Sequence, residues 1–95
     1  MKENVKKELE ALIQEQKDRI PKLKCEVGAF AYYVYEPSVK ERYIKWRENA
    51  KRFLEINFTG DRFIDEFNET CNKKITPNQQ KKLLAILEAF EKYPQ

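Results

Sequence analysis

VGAFAYYVY, residues Val27 to Tyr35, runs for nine positions without a charge in a chain that is 37% charged. Four aromatic residues fall inside it (Phe30, Tyr32, Tyr33 and Tyr35), and Pro21 and Pro37 bracket the wider segment. Such a run calls for cover, either from the chain's own helices or from a partner, because apolar surface left in water is costly. From Lys22 to Pro37 the apolar residues Leu23, Cys25, Val27, Ala29, Ala31, Tyr33 and Tyr35 recur at every second position. Lys22, Lys24 and Glu26 alternate with the first of them, which is a strand period. Aromatic and β-branched side chains favour extension, and Gly28 permits a bend. The segment reads as extended, one β-hairpin or ribbon lying across helices, with a short buried helix over Ala29–Tyr35 as the alternative.

The flanks are helical. Val5, Leu9, Leu12, Ile13, Gln16 and Ile20 line one side of a helix from Glu3 to Ile20, which Pro21 stops. Ser38 followed by Glu41 is a capping-box pair that would start a second helix running to Asn57. Its buried stripe is Tyr43, Trp46, Ala50, Phe53 and Leu54. Its outer face carries Glu41, Glu48 and Glu55 interleaved with Lys45, Lys51 and Arg52, suited to i,i+4 ion pairs. Gly60 supplies a turn, and Asp61 caps a third helix over Arg62–Asn72 with Phe63, Ile64, Phe67 and Cys71 inside. Thr76-Pro77-Asn78-Gln79 opens a fourth helix, Pro77 to Lys92. Leu83, Leu84, Ile86, Leu87, Phe90 and Tyr93 cover about half its circumference, so this helix is either central or shared with another chain. The expected fold is mainly α: a single helical domain, residues 1–95, built as a four-helix bundle with an extended aromatic segment or short β-hairpin between helices 1 and 2.

Composition narrows the function classes. The 95 residues carry 19 basic and 16 acidic side chains, and the near-balance holds along the chain. That is a thin footprint for nucleic-acid phosphates. No apolar run approaches the ~20 residues of a membrane-spanning helix, and MKENVKKELEAL lacks the apolar core of a signal peptide, so a cytoplasmic location without a membrane partner is expected. Cys25 and Cys71 are then expected as free thiols. There is no histidine, which removes the commonest general base and the usual nucleophile relays. Two cysteines 46 positions apart do not make a zinc set. Gly28 and Gly60 make no phosphate loop. Asp61, Asp65 and Glu69 read as a solvated helix face rather than a Mg²⁺ site. No enzyme activity, no metal and no cofactor are expected.

What remains is binding. Phe30, Tyr33 and Tyr35 suit a bundle core, while Tyr32 and Val34 would face outward as a contact surface, where tyrosines are enriched. A base-stacking platform would need a positive groove around it. Tyr32, Val34, Ile86 and Tyr93 are the expected partner-binding residues, with a homodimer face on helix 77–92. The alternative is a nucleic-acid-binding accessory protein using Lys73, Lys74, Lys81 and Lys82 around the last turn.

The run YVYEPSVKERYIKWRENAKRFLEINFTGDRFIDEF, Tyr33 to Phe67, resembles small bacterial and phage-borne helical proteins of the HEPN-like, abortive-infection type, a resemblance that covers residues 32–67. The shared features are a YYVY-like loop followed by a helix with a tryptophan and an RFLE-like run. The resemblance implies a helical bundle, dimerisation and a link to phage–host conflict. Active members cleave RNA with an arginine and a histidine, and the missing histidine keeps that activity from being carried over. The expectation is therefore a non-enzymatic protein-binding module, in its most specific form a phage or mobile-element inhibitor that occupies a surface of a host defence complex.

Overall fold

Five breaks in the sequence set the chain's path in a computed structural model, which describes residues 1–93. Helix α1 spans Glu3–Arg19 and tightens into a 3-10 turn, Ile20–Lys22. Pro21 sits inside that turn and does not simply end the helix, because a 3-10 start tolerates a missing N–H. Strands β1 (Lys24–Val27) and β2 (Ala31–Val34) form an antiparallel hairpin. Helix α2 covers Pro37–Asn57, α3 Arg62–Cys71 and α4 Pro77–Lys92.

Two of the expected caps are present. The Asp61 carboxylate accepts from the Phe63 N–H at 2.9 Å, and the Thr76 hydroxyl accepts from the Gln79 N–H at 3.0 Å. The Ser38–Glu41 box is not formed. Pro37 takes the first helical position with Glu36 before it, and no side chain caps this end. Proline's fixed φ starts the helix one residue before Ser38 can serve as its cap. Gly60 has φ +84°, the left-handed geometry that a side chain would oppose.

The helices close a ring in the order α1–α4–α3–α2. Trp46 sits at its centre, its ring 6.1 Å from both Tyr43 and Phe67, and its indole N–H donates to the Leu12 carbonyl at 2.9 Å. A second aromatic group joins Phe53, Phe58 and Phe90 near the other end, with Phe58 and Phe90 4.8 Å apart. Helix α4 packs on both α1 and α3, burying Leu83, Ile86, Leu87 and Phe90. Its wide apolar stripe therefore serves two internal neighbours, and the face expected for a homodimer is spent within the chain.

The molecule measures 47 × 22 × 19 Å. Helix α2, the longest at 21 residues, accounts for about 31 Å of that length. The hairpin is an arm on the bundle, with every residue of β1 exposed.

Candidate functional site

The arm is anchored at its foot and bare at its tip. Lys24 faces Val34 and Glu26 faces Tyr32 on one side, while Cys25 faces Tyr33 and Val27 faces Ala31 on the other. The second side continues at the foot into Leu23 and Tyr35, both packed on the core. One apolar strip thus starts inside the bundle and runs out into solvent. Gly28 to Phe30 make the turn, where the Gly28 N–H donates to the Phe30 carbonyl. Val27 is 82% exposed and Phe30 84%, the two barest large apolar side chains among the described residues.

Tyr35 fixes the foot. Its hydroxyl donates to Gln80 Oε1 at 2.7 Å. Gln16 Nε2 donates to the same oxygen and to the Gln80 carbonyl, each at 3.1 Å. The Arg19 guanidinium reaches Gln16 Oε1 at 2.8 Å and Glu15 at 2.8 Å, and lies 4.9 Å from the Trp46 ring centre. Gln80 Nε2 donates to Gln79 Oε1, and Gln79 Nε2 to the Thr70 carbonyl. A buried polar chain thereby ties α1, the hairpin foot, α4 and α3 together. On the outer side Lys24 pairs with Glu36 at 2.7 Å, which raises the lysine pKa and lowers that of the carboxylate.

Burial pushes the Tyr35 phenol up to about 12, against the pull of nearby Arg19. A raised folded-state pKa gives stability that is intact below the unfolded value near 10 and is lost as pH climbs through the folded one. Alkaline melting between pH 10 and 12 should cost the wild type up to about 3 kcal/mol more than Tyr35→Phe. Equal pH slopes for the two proteins would remove Tyr35 as the cause.

The expected site residues do not come together. Tyr32, 47% exposed, and Val34, half-buried, share one face of β2. Ile86, expected on a contact face, is 6% exposed and belongs to the core, because α4 has neighbours on two sides. Tyr93 is 71% exposed, but it follows Gln80 by thirteen residues along α4, so it lies about 20 Å from the hairpin foot. Phe30 and Tyr33, read as core, are exposed on the arm, and only Tyr35 of that trio is buried. Val27 and Phe30 were not singled out as contact residues. Their signal was the strand period on either side of Gly28, which puts Val27 at the end of β1 and Phe30 in the turn that follows.

Other surfaces are less developed. Lys73, Lys74, Lys81 and Lys82 are all exposed, and Lys82 already faces Glu66 at 3.5 Å. A groove of ≈ 500 Å³ between α1 and α2 has Leu12, Val39 and Trp46 at its base and mixed charges on its walls, Arg42 and Lys45 against Glu15 and Asp18. Among the described residues, no three His, Cys, Asp or Glu side chains converge as metal ligands would. Cys71 is buried, and that burial lifts its thiol to about 11, which makes it a poor nucleophile at neutral pH. No helix among the described residues is long and apolar enough to cross a membrane. No protein-family model, curated protein or solved structure matches the chain.

Proposed function

We propose that this chain is a non-enzymatic protein-binding module whose hairpin arm is the contact element. The observation that carries the reading is the apolar tip: Val27 and Phe30 bare in water, on an arm whose foot is locked by buried hydrogen bonds. A two-stranded hairpin is marginal alone. A firm foot under an apolar tip suits an element that is held ready for a partner. Tyr32 and Tyr33 add large side chains with polar ends, the type enriched at interface hot spots. The HEPN-like resemblance points toward proteins that act in phage–host conflict. A surface-covering inhibitor of a host defence complex is the narrower form of this proposal, and it adds no residue to the arm.

Phe30→Ser combined with Tyr32→Ala should abolish capture of a protein partner from the native host, or of a second tagged copy, while the far-UV spectrum and melting temperature stay unchanged. Tyr93→Ala, at the far end of α4, should leave capture intact. Full capture by the arm variant would sink the reading.

A further inference from the structure

Resting on the reading of the arm as a protein-contact element, we propose that its partner is a second copy of this chain: β1 pairs antiparallel with β1 of the other copy, centred on Cys25. The hairpin is a sheet of only two strands. Among the described residues no main-chain hydrogen bond reaches the outer edge of either strand. Such an edge is a template for another strand, and both sides of the arm around it are exposed.

The sequence of β1 selects the occupant. Lys24, Cys25 and Glu26 are self-complementary in charge about the central residue. A two-fold axis through Cys25 sets Lys24 opposite Glu26 of the second copy and, by symmetry, Glu26 opposite its Lys24. Opposed residues in antiparallel strands share a face, and opposite charges there stabilise the pair. A lone charged edge guards against pairing when like charges meet; here the two charges match their own reversed image. Lys24 would then sit between Glu36 of its own chain, already at 2.7 Å, and Glu26 of the other. The edge of β2, Ala31–Val34, carries no charge and fixes no register.

The same register also covers the tip. Val27 falls opposite Leu23 of the second copy. Leu23 packs against the core at the foot of the arm, so each arm lies back along the other and carries Phe30 toward the neighbouring bundle. The four strands form one sheet, and the bare end of each apolar strip meets the anchored end of its counterpart.

Sedimentation across a concentration series tests the pairing. The wild type should shift from monomer to dimer as concentration rises. Glu26→Lys places lysine against lysine twice and should weaken self-association about tenfold. Lys24→Glu should weaken it similarly. An equimolar mixture of the two variants should regain dimer, since each strand then meets its opposite. Diamide should link the wild-type dimer by taking two protons and two electrons from the paired Cys25 thiols as one S–S bond forms. That step needs Cα atoms within about 7 Å, and Cys25→Ser should block it. A wild type that stays monomeric overturns the pairing. So does a dimer that ignores Glu26→Lys and forms no Cys25 disulfide, because its contact lies on β2 or elsewhere. Either result leaves the protein-binding reading to be decided by the arm variant above, which is scored on capture of any protein.

Discussion

Trp46→Ala lowers the unfolding free energy by about 4 kcal/mol, within the range for removing a buried aromatic side chain. Three losses add in one place. The ring is 1% exposed and touches the two aromatic neighbours Tyr43 and Phe67. Its N–H donates to the Leu12 carbonyl and so ties α2 to the α1 main chain. The Arg19 guanidinium, 4% exposed, keeps its counter-charge in Glu15 but loses the ring face beneath it. The site is a poor one to collapse. Grooves already line the α1–α2 seam on both sides of Leu12, so little side chain is at hand to refill the space. A domain of this size has roughly 5–14 kcal/mol in total, so the variant should melt far below the wild type in a denaturant titration. Trp46→Phe separates the terms, keeping most of the packing while dropping the N–H, and should cost about 1–2 kcal/mol. A loss under about 1.5 kcal/mol for the alanine variant would mean that the seam does not depend on this residue.

The helix ends show which information is local. Asp61 and Thr76 cap their helices through bonds to residues two and three positions on, so spacing alone reveals them. The Ser38–Glu41 pair has the same spacing and fails, because Pro37 next to it competes for the start of the helix. The hairpin is local as well: alternation at Leu23, Cys25 and Val27 and the bend after it gave strands and turn. Its exposure is not local. Nine uncharged residues state that cover is needed and say nothing of where the cover comes from. The Ile86 error has the same origin. A broad apolar stripe looks alike on a helix with two internal neighbours and on one shared between chains. Arg19 was illegible for a further reason. Its burial depends on Gln16 and Glu15 beneath it in α1 and on the rings of Tyr43 and Trp46 from α2, a set that no single stretch of sequence displays. The candidate site divides along this line: Tyr32 and Val34 were readable from the strand pattern, and the buried chain that steadies them was not.

That chain makes Gln80→Leu the second large effect. Gln80 is fully buried, and its side-chain oxygen accepts from both Tyr35 and Gln16. Leucine fills a similar volume, so cavity formation contributes little. The loss comes from partners left in a dry interior. The Tyr35 O–H loses its acceptor and Gln79 Oε1 its donor, while Gln16 Nε2 keeps only the Gln80 carbonyl. At about 1–3 kcal/mol for each stranded group, the expected cost is about 3 kcal/mol. Coupling identifies the mechanism. In the Gln80→Leu background, Tyr35→Phe removes a hydroxyl that no longer has an acceptor, so the double variant should recover about 1 kcal/mol relative to Gln80→Leu alone. Simple additivity of the two losses would show that Tyr35 and Gln80 do not act as a pair. The consequence reaches the arm, because Tyr35 directly follows β2. With its O–H no longer held by Gln80, the foot should loosen before the bundle does, and hydrogen exchange at the Leu23–Tyr35 amides should accelerate more than at the core of α4. Uniform acceleration across the chain would instead place the hairpin in the same cooperative unit as the helices, and the arm could not then be a separately held contact element.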